Sequence, residues 1–179
     1  MGQEQYDKSI QTGKLQLSAW RVIPFYFLVV LLFFIPVMFL ALEIFDNSKN
    51  YVRPPIWAIS IPAVLGALLY KYQQIGLKFE VIETALTKNA VFSLIEKLAD
   101  EQKWLIVFRS DKVFVAKIDA GNPWRKSKLI TILLDKNRVL INSIYDPDTN
   151  KSGIDPLGTN KALVGSLIAE IEGAAPKAG

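Results

Sequence analysis

Between Arg21 and Glu43 the chain reads VIPFYFLVVLLFFIPVMFLAL, with no charged side chain from Val22 to Leu42. About 20 consecutive apolar residues is the length that crosses a hydrocarbon core of roughly 30 Å as a helix. A buried core helix is the competing explanation. It fails because the rest of a 179-residue chain could not wrap a helix that is apolar on every face. Pro24 falls in the first turn, where its missing N–H costs little, and Pro36 lies inside, where membrane helices tolerate a kink. The run is too long for the apolar core of a cleaved leader, and FLALEIF offers no small-x-small cleavage site. The expectation is a retained span.

A second, shorter run, PPIWAISIPAVLGALLY from Pro54 to Tyr70, lies between Arg53 and Lys71. Trp57 at one end and Tyr70 and Tyr72 at the other match the aromatic belt of a membrane interface, with Arg21 and Lys71 as charged flanks. Ala63, Gly66 and Ala67 form a small-residue face that lets another helix approach closely. The pattern predicts a two-helix transmembrane hairpin over residues 22–75. The flanks carry Lys8, Lys14, Arg21, Lys71, Lys78 and Lys88, whereas the connecting loop has only Lys49 and Arg53, so both termini are expected in the cytoplasm. Residues 1–21 are expected as a cytoplasmic or interfacial segment, in which Leu15, Leu17 and Trp20 suggest that KLQLSAWR lies flat in the interface. Neither run holds an Asp, Glu, Lys or Arg at depth, which argues for an anchor over a transport path.

The chain has no His and no Cys. Serine hydrolases of the Ser-His type, cysteine proteases, zinc metallopeptidases and histidine kinases are therefore excluded. The net charge of +4 is mild and compatible with a membrane surface.

From about Gly76 the composition becomes that of a globular domain. Leu77, Phe79 and Val81 alternate as in a short strand. Thr87 can cap a helix whose Val91, Leu94, Ile95 and Leu98 share one face, ending near Lys103. WLIVFRS and VFVAKID flank a turn at Asp111-Lys112, and LITILL and VLINSIY flank DKNR, where Asn137 suits a positive φ. Thr159 or Asn160 can cap a last helix striped by Leu163, Val164, Leu167, Ile168 and Ile171. The order β-α-β-β-β-β-α predicts an α+β domain over 76–172, an antiparallel sheet with helices on one face, followed by a flexible tail at 173–179.

Trp104, Trp124, Ile130–Ile132, Asn142-Ser143, Asp155, Gly158, Asn160 and Lys161, in NPWRKSKLITILLDKNRVLINS and GIDPLGTNKALV, resemble a small domain of membrane proteins of the Bacteroidota. The resemblance covers about Thr84 to Glu172. It departs in PWRKSK, poorer in aromatics and glycine than the family's loop, and in Pro156-Leu157 at an often aromatic position. It implies an α+β fold and a bacterial membrane location, and carries no activity.

Three stretches could hold chemistry. Asp146, Asp148 and Asn150 have the first spacings of a calcium loop, but Lys151 replaces its glycine and Leu157 its bidentate Glu. A solvated turn accounts for them, and no metal or cofactor is expected. Asn160 and Lys161 at a helix start could hold an anion, although capping alone explains the segment. Trp124, Arg125, Lys126 and Lys128 combine an interface-seeking ring with cations that gain about 1 kcal/mol each near anionic lipid. The bland alternative packs Trp124 over the sheet with its cations in water. Three cations in one loop do not make a nucleic-acid stripe.

The reading is a membrane-anchored, non-catalytic protein that presents its domain to lipid headgroups or a protein partner. The alternatives are an accessory subunit of a larger membrane complex, a homo-oligomer formed through the hairpin, and an enzyme working without His or Cys.

Overall fold

The structure, a computed structural model, describes residues 2–45, 54–118, 127–149 and 158–175. Helices α1 (Gln3–Thr12), α2 (Ala19–Phe45) and α3 (Ile56–Gly76) precede β1 (Glu80–Glu83), α4 (Lys88–Glu101), β2 (Leu105–Arg109) and β3 (Val113–Ile118). Then come β4 (Lys128–Asp135), β5 (Arg138–Tyr145) and α5 (Thr159–Ala174). The fold is α+β, with one antiparallel sheet in the order β1-β5-β4-β3-β2.

Local chemistry sets most boundaries. The Thr87 side chain accepts from the Ala90 N–H and starts α4, as its position suggests. Two other expectations are corrected. In the β4–β5 turn it is Lys136, not Asn137, that takes positive φ, at 55°. The cause is register: Asp135 pairs with Arg138, so the left-handed residue is the first of the two between them. At α5 the N-cap is Gly158, with φ 62°, while Thr159 and Asn160 already belong to the helix. The helix continues past Glu172 to Ala174.

The sheet is covered on both faces, not on one. On the first face α4 and α5 bury Val91, Ile95, Leu98, Val164, Leu167 and Ile171 against Phe114, Ile130, Ile132 and Ile141. On the second face Tyr6, Leu15, Phe25, Leu77 and Phe79 pack on Val115, Leu129, Leu133, Leu140 and Ile144. Residues 1–21 thus supply part of a core layer. Leu15 is buried and Leu17 packs on the same cluster, so neither is free to face a bilayer. Trp20 alone of that trio stays exposed, at 86%.

Hydrogen bonds lock the layer in place. The Leu15 N–H donates to the Leu77 carbonyl (2.8 Å) and the Phe79 N–H to the Gly13 carbonyl (3.0 Å), stitching two distant strands of chain together. Gly13 ends α1 with φ 63°, a conformation that needs glycine. The Tyr6 hydroxyl donates to the Leu134 carbonyl at 2.8 Å.

Tyr6→Phe is expected to cost about 0.5–1.5 kcal/mol, measured as a lower melting temperature in mild detergent. Burial, reinforced by Asp135, raises the Tyr6 phenol above its ordinary pKa. The folded protein therefore holds that proton more tightly than the unfolded chain does. The resulting stabilisation is complete below about pH 10 and is lost as pH climbs through the folded value. Tyr6→Phe should flatten this alkaline loss, and identical alkaline slopes in both proteins would refute the assignment.

Among the described residues one helix, α2, is long and apolar enough to cross a membrane, with mean hydropathy 2.8. The helix α3 falls short of that standard because Lys71, Gln73 and Gln74 make its last turns polar. The expectation of a two-helix transmembrane hairpin is corrected to this extent. The helices α2 and α3 pack side by side and antiparallel, Gly66 lying opposite Leu32 and Phe33 and Gln73 opposite Phe25.

Candidate functional site

The residues that distinguish this fold from a freely tethered domain gather where α2 and α3 meet the sheet. Phe25, in the second turn of α2, is 1% exposed and belongs to the core layer on the second sheet face. Its ring meets Tyr26 edge-on at 5.0 Å. On α3, the Gln73 amide donates to the Phe25 carbonyl (2.9 Å) and the Gln74 amide to the Tyr26 hydroxyl (2.7 Å). Lys14 donates to the Gln74 Oε1 at 3.0 Å. The polar end that shortens the apolar run of α3 is therefore what binds it to α2 and the N-terminal segment.

Asn142 fastens this junction to the sheet. It sits in β5 and is 2% exposed, and its Nδ2 donates to the carbonyls of Gly76 (2.9 Å) and Lys78 (2.8 Å). Those carbonyls end α3 and begin the approach to β1, where backbone acceptors lack helical partners. The Asn142 Oδ1 has no donor among the described residues. Its neighbour Ser143 points to the opposite face and donates to Asn160 Oδ1 at 3.3 Å. In sequence, Asn142-Ser143 interrupts an apolar strand, and this polar pair was the visible signal of a fastening point on each face.

A second fastening lies at the end of the sheet. Asp146, with its carboxylate 2% exposed, pairs with Lys117 at 2.7 Å, and Asp148 pairs with Arg21 at 3.1 Å. These two acids resembled the start of a calcium loop. Each instead holds its own cation, and Asn150 lies outside the described residues. Arg21, expected as an interface anchor, thus also ties the first turn of α2 to the loop after β5.

A cavity of about 260 Å³ opens between the last turn of α3, β5 and the first turn of α5. Tyr72, Ile75, Lys78, Asn142, Asn160 and Lys161 are on its wall. Three residues singled out from sequence, Tyr72, Asn160 and Lys161, converge here, with Lys161 exposed and Asn160 buried. Its wall sets Lys78, Lys161 and Glu80 beside apolar and aromatic side chains, a composition that suits a group with a charged head and an apolar tail.

The other expected residues separate. Trp124, Arg125 and Lys126 lie outside the described residues. Lys128 is partly buried and donates to the Thr159 carbonyl (2.9 Å), which fixes it to α5 instead of presenting it to lipid. Trp57, Tyr70, Lys71 and Tyr72 are exposed along α3, Tyr70 leaning on Tyr26 with ring centroids 5.7 Å apart. Within the small-residue face Gly66 is buried, and a Cβ there would come within 3.2 Å of Phe33. The chain's own α2 occupies that seam, leaving Ala67 exposed and Ala63 half-buried. Among the described residues no three carboxylates converge.

Comparison with protein-family models, with curated proteins and with solved structures finds no match to this chain.

Proposed function

We propose that the chain is a membrane-anchored, non-catalytic protein of a bacterial inner membrane. In this reading α2 and α3 form a two-helix transmembrane hairpin with both termini in the cytoplasm. The α+β domain is held against the cytoplasmic face, where it binds lipid headgroups or a protein partner. The observation that carries the reading is the burial of Phe25 in the sheet's own core layer. A domain whose core includes the foot of an apolar helix cannot move independently of whatever that helix is embedded in. In this reading the cavity at the base of α3, with Lys78, Lys161 and Glu80 on its wall, supports headgroup binding.

Topology is directly testable, since the natural chain has no cysteine. Ser48→Cys, in the connecting loop, should react with an impermeant maleimide in intact cells. Ser166→Cys, on the exposed side of α5, should react only after permeabilisation. Labelling of Ser166→Cys in intact cells, with Ser48→Cys protected, would overturn the orientation.

A further inference from the structure

Large exposed hydrophobic side chains are distributed unevenly. Among the described residues of the α+β portion, from Leu77 onward, they are Val81 and four in a row on β2. Leu105 is 64%, Ile106 41%, Val107 49% and Phe108 37% exposed. The others lie on α2 and α3. A four-residue apolar edge left in water is a liability that soluble domains suppress.

Register shows which way this edge faces. Leu105 pairs with Lys117 and Phe108 with Val115, both on the second sheet face, where the feet of α2 and α3 lie. The ladder breaks between Ile106 and Phe108, leaving Val107 as an extra residue. A bulge re-aims side chains that strict alternation would send to opposite faces. Here it brings Val107 and Phe108 into one shallow groove with Leu17, Ser18 and Arg21, at the start of α2. Exposed Trp20 and Val22 flank Arg21 in the chain.

We propose that the bulged edge of β2, through Leu105, Val107 and Phe108, is a second membrane contact, seated at the headgroup–acyl boundary beside the foot of α2. The inference rests on the membrane reading of α2 given above. A second copy of the chain pairing strand to strand is disfavoured, because the bulge interrupts the ladder that such pairing needs. The bilayer accepts side chains without requiring a register. Aromatic and aliphatic groups at that depth gain from partial dehydration while the edge backbone still reaches water.

The test uses the full chain in liposomes, with one cysteine at a time carrying an environment-sensitive fluorophore. Val107→Cys tests the edge, Phe34→Cys on the exposed side of α2 tests the span, and Ala169→Cys on exposed α5 is the aqueous reference. The expected result is a blue-shifted Val107 probe, quenched several-fold more than the Ala169 probe by lipids carrying a nitroxide near the headgroup. The Phe34 probe should be quenched best by nitroxides deep in the acyl chain. A quenched Phe34 probe with a Val107 probe no different from Ala169 would overturn the edge contact and leave the span standing. An unquenched Phe34 probe would overturn the span, and the edge contact with it. A Val107 probe that is blue-shifted but unquenched, together with ready oxidation of the unlabelled Val107→Cys protein to disulfide dimers, would replace the bilayer by a second copy.

Discussion

Phe25→Ala should lower the stability of the detergent-solubilised protein by about 3–5 kcal/mol, the range for emptying a packed aromatic site. For a chain of this size that is a fall of roughly 10 °C in melting temperature. The magnitude follows from position. Phe25 is 1% exposed among Leu77, Phe79 and the side chains of β3, β4 and β5. Phe34→Ala supplies the control, because Phe34 is on the same helix but 58% exposed. In detergent it should change the melting temperature little. Equal losses for the two variants would show that helix quality, not the junction, governs stability.

Asn142→Leu is expected to cost about 2–4 kcal/mol, because the Gly76 and Lys78 carbonyls would each lose a buried donor at about 1–3 kcal/mol apiece. Removing the Oδ1, which lacks a donor among the described residues, returns part of that cost, so the estimate stays below the plain sum. The effect should be local before it is global: amide exchange should accelerate at Leu15 and Phe79, whose N–H groups the stitch protects. Asn142→Asp keeps the shape but offers an anion to two carbonyls, and should be at least as damaging. Wild-type exchange at Leu15 and Phe79 in both variants would mean that the apolar layer alone holds α3 to the sheet.

The strand and helix order from residue 76 onward was legible because each element carries a strong local signal. Thr87 before a 3.6-residue stripe and two apolar pairs of strands across short turns leave few alternatives. The covering of the second sheet face was missed for a physical reason. Tyr6, Leu15 and Leu17 are isolated apolar residues in a polar stretch, and only the tertiary fold brings them to one surface. A signal did exist in LITILL and VLINSI: strands with apolar residues at nearly every position have no side to give to water. For the site, Asn160, Lys161 and Tyr72 were found by type and place in the chain, yet their convergence depends on α5 and α3 meeting across β5. Asn142 was noted only as part of a resemblance, since its partners are main-chain carbonyls that no side-chain pattern announces. Lys71 marks the limit of the second apolar run, and the role of Gln73 and Gln74 beyond it as a latch emerges only once α2 lies beside them.

The stitch between Gly13–Leu15 and Leu77–Phe79 also sets an order of events during synthesis. When Leu15 leaves the ribosome its pairing partner is still to be made, and the whole of α2 and α3 must be translated first. The Tyr6 hydroxyl waits longer, for a carbonyl 128 residues downstream. The second layer of the core therefore closes last, after the apolar helices have committed to their surroundings. Its completion reports that both were placed with their feet together, and a chain with α3 misplaced is left with an open sheet face and an unpaired leader, the kind of surface that quality-control proteases read.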